Sequence, residues 1–521
     1  MASNLADASN IRPNAPIRFL IIGAGSRGNA YAWALTQSTK DAQISAVAEP
    51  IDSKRRSFGQ KYIWGSGSPA PHQAFGGWSE YLDFAMSSRA EEVPKIDAVF
   101  VCTLDETHVE IITALAPHGY HIMSEKPLAT TLKDCLRIRR SLQPPGQKNP
   151  DHVFSIGHVL HYSPHNMLLR SLLLKDAVIG DIISIEHTEP VGYWHFAHSY
   201  VRGNWRREST SAPSLLTKSC HDIDFLLWLL CAMPASCFSQ DLHLPARVTS
   251  TGGLFYFKPS RKPAAADGAT NCYNCSAEPN CIYSAKKVYV DGQFRQGNGN
   301  WPVSIVEPEV EDLYLAGQKD AALTLLEKRL REDYRERTAA TDRRGWYGRC
   351  VYNANNDVCD DQTVIMTWDE DPHPAVSDRS MQEQLHGRGA KTAVFRMVAW
   401  TEKQCERRGR IYGTKGEIEY DSKRIRVYDF ATKQAQVHHP PQPGGGHGGG
   451  DSGLAMAFFR AVEAVKQQRM SVLEAQRLHI GCSLDDIIRS HAMVFAAEEA
   501  RKARRTIDWA EWWQQNVETH V

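Results

Sequence analysis

Residues 17–30 read IRFLIIGAGSRGNA, and this stretch decides the fold of the first part of the chain. Its apolar start is typical of a buried parallel strand that ends at Gly23. Gly25 and Gly28 complete a G-x-G-x-x-G pattern, and helix-forming residues follow. In this pattern the first glycine permits a tight turn, the second lets a pyrophosphate approach the backbone, and the third lets helix and strand pack closely. The stretch therefore predicts a dinucleotide-binding Rossmann unit, with Ser26 and Arg27 also assigned to the cofactor site.

The residue that ends the second predicted strand bears on the choice of cofactor. This strand spans residues 44–48 and is followed by Glu49, about 20 residues after the last glycine, as the dinucleotide fingerprint requires. A carboxylate here binds the adenosine ribose hydroxyls and repels a 2′-phosphate, which favours NAD. Lys54, Arg55 and Arg56 could serve a 2′-phosphate, so NADP is kept as the alternative.

Two later strands end in polar motifs that we expect at the ligand-binding edge of the sheet. The strand at 96–102 is followed by TLDETH, and the strand at 120–123 is followed by SEKP. Ligands of open α/β sheets bind beyond the carboxyl ends of the strands. We therefore assign Thr103, His108, Glu125 and Lys126 to the cofactor edge, while His108 could instead cap the following helix.

These motifs together resemble a known family. The fingerprint, the Glu125-Lys126-Pro127 triplet, the SCHDID motif at 219–224 and the RIYGTKG motif at 410–416 are similar to the glucose–fructose oxidoreductase, inositol dehydrogenase and rhizopine-catabolism family (Gfo/Idh/MocA). The resemblance implies an α/β protein with an N-terminal Rossmann domain and a C-terminal α/β domain built on a large, mostly antiparallel open sheet. We expect a disordered tail at 1–16, the Rossmann domain at 17–150, and a substrate and oligomerisation domain at 151–521 with an insertion at about 260–345.

The resemblance also implies an activity. Family members are NAD(P)-dependent oxidoreductases that transfer hydride between the nicotinamide and a hydroxyl-bearing carbon of a sugar, a cyclitol or a related small molecule. Lys126 matches the catalytic lysine, and His221 matches the histidine that acts as general base, a role suited to a side chain titrating near neutral pH. Two alternatives stay open: an NAD-dependent glycoside hydrolase or lyase of the same fold, and a non-catalytic NAD(H)-binding regulatory protein.

One position departs from the family pattern. Many members carry aspartate four residues before the catalytic histidine, whereas this chain has Thr217, followed by Lys218. Either Lys218 shares the catalytic or binding work, or the reaction differs from simple alcohol oxidation. The segment 192–206 is dense in aromatic, histidine and arginine residues, which suit a sugar but also suit a core. The residues proposed for substrate contact are Tyr162, Trp194, His195, Arg202, Trp205, Lys218 and Asp222.

The cysteines allow a further site. Cys272, Cys275 and Cys281 stand close together in the insertion and could hold a structural zinc ion, although reduced thiols are favoured and a disulfide is not excluded. A fourth ligand is not local and would have to be Cys350, Cys359 or a histidine.

Composition and patterning exclude other classes of partner. Lys+Arg and Asp+Glu both total 60, which gives no reason to expect nucleic acid or an anionic membrane as partner. No uninterrupted apolar stretch is long enough to span a bilayer, and the polar N-terminus does not resemble a signal peptide. We therefore expect a cytoplasmic protein that acts on a small molecule, and the resemblance implies a homo-oligomer, dimeric or tetrameric. The glycine-rich stretch at 440–450 is interpreted as a linker or, alternatively, a lid, with Asp451 capping the next helix.

Overall fold

The structure is a computed structural model that describes residues 15–147, 149–235, 241–333, 345–373, 377–444 and 446–520. The chain divides into two compact units. The first comprises the chain up to Glu125 together with Ile138–Gly157 and Asp451–Leu484. The second comprises Lys126–Arg137, His158–Gly450 and the chain from Asp485 onward. Most of the tail predicted at residues 1–16 lies outside the described residues.

The strands and the longer helices are numbered here in chain order. The strands are β1 (Ile17–Ile22), β2 (Ala42–Ala48), β3 (Ala74–Phe75), β4 (Ala98–Val101), β5 (His121–Ser124), β6 (Phe154–Ile156), β7 (Ile182–Pro190), β8 (Arg247–Gly253), β9 (Asp361–Trp368), β10 (Lys391–Val398), β11 (Arg408–Gly413), β12 (Gly416–Tyr420), β13 (Ile425–Asp429), β14 (Gln434–His438) and β15 (Ile507–Asp508). The longer helices are α1 (Ser26–Ser38), α2 (Asp52–Tyr62), α3 (Trp78–Ala85), α4 (His108–Leu115), α5 (Leu132–Leu142), α6 (Pro164–Arg170), α7 (Cys220–Leu230), α8 (Glu309–Leu315), α9 (Lys319–Arg331), α10 (Gly450–Lys466), α11 (Leu484–Ala503) and α12 (Trp509–Asn516). Single-turn helices lie at Tyr193–Phe196, Ser214–Thr217, Val303–Val306, Met381–Gln384 and Val472–Ala475.

The first unit is built on a six-stranded parallel sheet in the order β3-β2-β1-β4-β5-β6. All of β4 and all but one residue of β1 are buried, because helices cover both faces of a parallel sheet. Strand β1, the glycine loop and α1 follow one another as the fingerprint predicts. The Rossmann part of the predicted fold class is confirmed.

A late segment of the chain belongs to this first unit. We expected every residue after 150 to belong to the second domain, whereas residues 451–484 cluster with the Rossmann sheet. The ring of Phe458 on α10 lies 5.3 Å from the ring of Phe100 on β4, so α10 covers part of the sheet. The side chain of Gln476 bonds both the N–H and the carbonyl of Phe154 on β6, at 3.1 and 2.6 Å. These contacts are long-range, and no local pattern reports them.

The second unit is built on a nine-stranded open sheet in the order β14-β13-β12-β11-β7-β10-β9-β8-β15. All neighbouring pairs are antiparallel except β7 with β10. Burial alternates along β9, so only one face of this strand contributes to the core. This is the large, mostly antiparallel sheet that the resemblance implied.

The insertion forms its own small core within the second unit. Its helices α8 and α9 supply Val310, Leu326 and Leu330 to a cluster that also contains Cys272 and Tyr289. The charged stretch 312–338 has leucines at partly helical spacing, which predicts one amphipathic helix. The chain instead breaks between α8 and α9, at a positive φ of 77° on Gly317. Residues 334–338 of that prediction lie outside the described residues.

A buried ion-pair cluster lies at the start of the second unit. Asp224 on α7 lies 3.1 Å from Nδ1 of His158 and 2.6 Å from Nε2 of His161. Burial disfavours a charged His158, but Asp224 outweighs it and raises the pKa of His158 to about 10. Burial also disfavours the Asp224 carboxylate, yet the two histidines hold its pKa well below its usual range.

This cluster gives a stability prediction with a defined pH window. Because the pKa of His158 is raised in the folded protein, its contribution to the free energy of unfolding is complete below about pH 6.5 and is lost as pH rises through 10. The lowered pKa of Asp224 means that its contribution is present above about pH 4 and is lost as pH falls. Both contributions are complete between about pH 4 and pH 6.5. In this window Asp224→Asn should lower the free energy of unfolding by about 3–5 kcal/mol.

Urea denaturation at several pH values measures this difference, which should shrink on both sides of the window. The control is Asp486→Asn, because Asp486 makes a half-exposed pair with Arg489 and such pairs contribute about 1 kcal/mol or less. An Asp224→Asn effect that is constant with pH would contradict the ion-pair explanation.

Candidate active site

The three glycines of the loop after β1 have the roles that the fingerprint assigns to them. Gly23 has a φ of 95°, and a Cβ there would lie 2.4 Å from the carbonyl oxygen of Cys102. A Cβ on Gly28 would lie 2.2 Å from the carbonyl oxygen of Gly23. A Cβ on Gly25 would meet no atom within 4 Å. The backbone itself requires the outer two glycines, whereas the space at Gly25, beside the N-terminus of α1, suits a pyrophosphate.

Substitutions of the two kinds of glycine should therefore have different effects. Gly25→Ala should leave the free energy of unfolding unchanged and weaken NAD(H) binding by about 10-fold or more, because the methyl group occupies the pyrophosphate space. Gly23→Ala should instead destabilise the protein by about 2–4 kcal/mol through strain and steric overlap. Urea denaturation and NADH fluorescence titration measure the two quantities. Equal losses of stability in both variants would refute this division of roles.

Glu49 lies at the end of β2, as predicted for a ribose-binding acid. Its carboxylate is buried and accepts the N–H groups of Ala24 and Ile51, both at 2.9 Å. These bonds orient the carboxylate toward the glycine loop, and carboxylate oxygens accept further hydrogen bonds. Arg55 and Arg56, two of the three candidates for binding a 2′-phosphate, both pair with Asp52, at 2.7 and 2.8 Å.

Arg27 and Glu125 form a network that sequence reasoning missed. Arg27 Nε donates to Glu125 at 2.7 Å, and its two terminal nitrogens donate to Asp451 at 2.8 and 3.0 Å. The Tyr31 hydroxyl also donates to Glu125. We assigned Arg27 and Glu125 to the cofactor and Asp451 to a helix cap; in the structure Arg27 pairs with both carboxylates and fastens the loop after β1 to the end of β5. Ser26 begins α1 with an exposed side chain.

The motif after β4 is held together by its own side chains. The hydroxyls of Thr103 and Thr107 are 2.7 Å apart, and the buried ring of His108 places Nε2 3.4 Å from the carbonyl oxygen of Thr103. Of the two roles open to His108, these contacts favour the structural one at the start of α4.

Lys126 contacts the position where the family pattern led us to expect aspartate. Its ammonium donates to the backbone carbonyl of Thr217 at 2.5 Å. Thr217 ends a single-turn helix, and His221 follows four residues later in the first turn of α7. The backbone carbonyl thus offers Lys126 an acceptor although the side-chain carboxylate is missing.

His221 is a buried and neutral imidazole. Its Nε2 lies 2.6 Å from Nη2 of Arg407, which can only donate, so the ring proton is assigned to Nδ1. Nδ1 is buried and has no hydrogen-bond partner among the described residues. Burial and the positive charge of Arg407 hold the pKa of His221 well below its ordinary value, with smaller effects from Lys126 and Lys218.

Arg407, which the sequence analysis did not single out, is central to this site. It lies 2.8 Å from Asp222 and 2.5 Å from Glu189, both of them fully buried. Asp222 also lies 3.0 Å from His187. Burial disfavours a charged Asp222, but Arg407 outweighs this and keeps the pKa of the carboxyl well below its usual range. We proposed Asp222 as a substrate ligand, and the structure instead commits it to Arg407 and His187.

Lys218 and His195 lie at the same site. The ammonium of Lys218 lies 3.2 Å from Glu189 and 2.9 Å from the sulfur of Cys405. The Cys405 sulfur lies 3.7 Å from Nδ1 of His195. Burial and the neighbouring Lys218 hold the pKa of His195 well below its ordinary value. Cys405 has a φ of 61°, a conformation that non-glycine residues rarely adopt outside functional or strained sites.

The other residues proposed for substrate contact are engaged in packing with neighbouring side chains. Arg202 is 1% exposed and donates to the carbonyls of Arg349 and Tyr283, at 2.8 and 2.6 Å. Trp205 stacks on Tyr200, Trp194 packs beside Trp301, and Tyr162 lies beside His161. The aromatic and arginine side chains at 192–206 therefore pack against neighbours, some of them in the insertion. The sequence had left such a core role open as the alternative to substrate binding.

Two groups of described residues bring metal-ligand types together, and neither suits a cation. Glu189, His221 and Asp222 form the first, and Arg407 already supplies a positive charge there. His158, Cys220 and His491 form the second. Nε2 of His491 accepts the N–H of Leu128, and its Nδ1 donates to the carbonyl of Ile487. The cysteines suggested for zinc are in neither group.

Comparison with known proteins finds one family model that matches the early part of the chain. Residues 17–147 match the model of the GFO_IDH_MocA oxidoreductase family, which has an NAD-binding Rossmann fold. None of the described helices is long and apolar enough to cross a membrane.

Individual relatives are more distant. The chain is 25% identical over 211 residues to an inositol 2-dehydrogenase/D-chiro-inositol 3-dehydrogenase of Lactiplantibacillus plantarum, which covers 40% of this chain and 51% of that protein. It is 27% identical over 158 residues to a 2,7-anhydro-N-acetylneuraminate hydratase of Mediterraneibacter gnavus, covering 30% and 37%. The chain thus spans about half the length, or less, of these relatives.

A solved structure extends the likeness in fold over most of the chain. Levoglucosan dehydrogenase in complex with NADH and levoglucosan aligns with a TM-score of 0.56 and 14% identity, covering 95% of this chain and 99% of that one.

Proposed function

Residues 17–147 belong to the Gfo/Idh/MocA oxidoreductase family, and from this premise we propose that the protein transfers hydride between a nicotinamide cofactor and a hydroxyl-bearing carbon. The substrate class is a sugar, a cyclitol or a related small molecule. The observation that carries the proposal is the Lys126 ammonium, held 2.5 Å from the Thr217 carbonyl, four residues before the neutral His221.

NAD is the proposed cofactor, and it supplies or accepts the hydride when bound. The open space at Gly25 would take the pyrophosphate, and Glu49 would bind the ribose hydroxyls. The pairing of Arg55 and Arg56 with Asp52 supports NAD over NADP, because both guanidinium groups already have an acidic partner.

Lys126 and His221 have different proposed roles, the first in stabilising charge and the second in accepting a proton. Lys126 would stabilise negative charge on the substrate oxygen, with its position fixed by the bond to Thr217. His221 is neutral, as a general base must be, but Arg407 occupies its Nε2. We propose that Nε2 becomes the proton acceptor when Arg407 turns fully toward Glu189 and Asp222, to which it is already paired.

The test is a substrate panel assayed with the full-length chain. Purified protein is incubated with NAD⁺ and sugars, cyclitols, anhydrosugars or glycosides, while NADH absorbance and released aglycone are followed together. Substrate-dependent NADH formation supports the proposal. Cleavage or hydration without net NADH formation would overturn it.

A second candidate is a hydrolase, lyase or hydratase that oxidises its substrate transiently and then reduces it again. Thr217, standing where aspartate was expected, favours this alternative, and so does the similarity to the anhydro-sugar hydratase. A third candidate, a regulatory protein, requires tight NAD(H) binding without turnover. Cytoplasmic location and a homo-oligomeric state stay predictions, the latter measurable by light scattering.

Glu49 gives a prediction about cofactor selectivity. Glu49→Ser should lower the affinity for NAD by about 10-fold while the affinity for NADP falls less or rises, because a ribose acceptor and a repulsive charge are both removed. Fluorescence titration with NADH and NADPH measures both constants. The matched control is Glu106→Ser, because the Glu106 side chain is exposed. A parallel loss of affinity for both cofactors would refute the selectivity role.

A further inference from the structure

Four cysteines surround one cavity in the second unit, beside the insertion. The cavity is lined by Cys272, Cys275, Cys281 and Cys350. The first three come from consecutive short turns and are close in sequence. Cys350 comes from the far end of the insertion, and only the fold brings it to the other three. The same cavity is thus lined by Cys350, the fourth thiol, which the spacing of the cysteines alone could not identify.

The backbone explains why Cys350 lies there. Asn271 and Arg349 form an isolated antiparallel bridge. The N–H of Cys272 donates to the carbonyl of Gly348, and the N–H of Cys350 donates to the carbonyl of Thr270, both at 2.8 Å. Side chains alternate along paired strands, so the neighbours of the bridge, Cys272 and Cys350, lie on the same face. Two ends of the insertion are thereby held with their thiols on one side.

Arg202 lines the same cavity and carries a buried charge. It is 1% exposed, and its Nη2 lies 3.5 Å from the sulfur of Cys272. Its Nη1 is buried without a hydrogen-bond partner, and the acidic groups that act on Arg202 most strongly are cysteine and tyrosine side chains, not carboxylates. Buried cations are normally compensated by an anion, because leaving water is costly. One carboxylate, Glu278, also lines the cavity, but it lies 3.5 Å from the ammonium of Lys286. The cavity therefore combines four thiols with a cation, Arg202, that has no carboxylate of its own.

We propose that Cys272, Cys275, Cys281 and Cys350 bind one Zn²⁺ ion and that Arg202 compensates the charge of the resulting centre. On binding, each thiol releases its proton to solvent, and four thiolates with one Zn²⁺ carry a formal charge of −2. Arg202 offsets part of this charge and donates an N–H to the Cys272 thiolate, as outer groups do around metal ligands. A disulfide would leave no negative charge for Arg202, so the guanidinium favours a metal.

The distances between the sulfur atoms show how the thiols must move when zinc binds. No three of the four sulfurs lie within 4.8 Å of one another. Around tetrahedral zinc they would lie about 3.8 Å apart, given Zn–S bonds of about 2.3 Å. Binding therefore draws the thiols inward, and the partly exposed Cys275 and Cys281, on short turns, have the least packing to lose. The ion would fasten together an insertion in which described residues 254–302 contain short helices, turns and a bridge but no strand.

The experiment measures metal in the full-length protein purified without added metal. Elemental analysis should find about one zinc per chain. Cys275→Ser and Cys281→Ser should each lower this to less than about 0.2, because a three-thiolate site binds zinc much more weakly. The matched control, Cys359→Ser, removes a buried thiol outside the cavity and should retain the metal. Zinc below about 0.2 per chain in the unaltered protein, or stoichiometric iron instead, would overturn the proposal.

A second measurement does not depend on the folding of any variant. Protein stripped of metal by a mercurial reagent and then given Co²⁺ should develop intense thiolate-to-cobalt charge-transfer absorption, saturating at about one equivalent. Zn²⁺ should abolish this absorption by displacement. Weak absorption typical of oxygen or nitrogen ligands would show that the thiols are not the ligands.

Discussion

Lys126→Met should lower kcat by about 10³-fold, the largest catalytic effect that we expect from any single substitution. Methionine nearly preserves the length of the side chain but removes the charge that would stabilise the substrate oxygen, together with the bond to the Thr217 carbonyl. The dissociation constant for NADH, measured by fluorescence titration, should change far less than kcat. The control is Lys133→Met, which removes an exposed ammonium from α5.

The two measurements separate catalysis from cofactor binding. Turnover of Lys126→Met within a factor of three of the unaltered protein would contradict a catalytic role. Such a result, together with tight NADH binding, would favour the regulatory alternative.

Arg407→Met should produce the largest loss of stability, about 3–5 kcal/mol of unfolding free energy. The substitution leaves Glu189 and Asp222 buried without their shared cation, and both are fully buried. Urea denaturation at neutral pH measures the loss. The control is Arg410→Met on β11, the strand that begins directly after Arg407. There the half-exposed pair with Glu419 should contribute about 1 kcal/mol or less.

The same substitution should also shift the pH dependence of any activity that persists. Arg407 helps to hold the pKa of His221 well below its ordinary value, so its removal should raise that pKa. Because the base must be neutral, the acid limb of the kcat/KM profile should move to higher pH. An unchanged acid limb would show that His221 is not the titrating base.

The local features of this protein could be predicted from the sequence. Gly28 is required by a contact within the strand–loop–helix segment itself, and Gly23 by the positive φ of the turn, so their spacing is sufficient to identify the loop. The apolar run at 17–22 likewise predicts β1, because a parallel strand is covered on both faces. The order of such segments predicts the Rossmann sheet, and the resemblance adds the second sheet.

The partners of the charged side chains could not be predicted in this way. Arg27 lies in the fingerprint, yet its partner Asp451 is far away in the chain, and the same holds for Arg407 with Glu189. Cys350 joins the other three cysteines only through the bridge between Asn271 and Arg349. Periodicity and spacing report contacts between near neighbours along one strand or helix. The sequence by itself therefore determined the sheet and the glycine loop around residues 17–30. Only the tertiary structure decided which charged side chains pair, because that pairing depends on packing between distant segments.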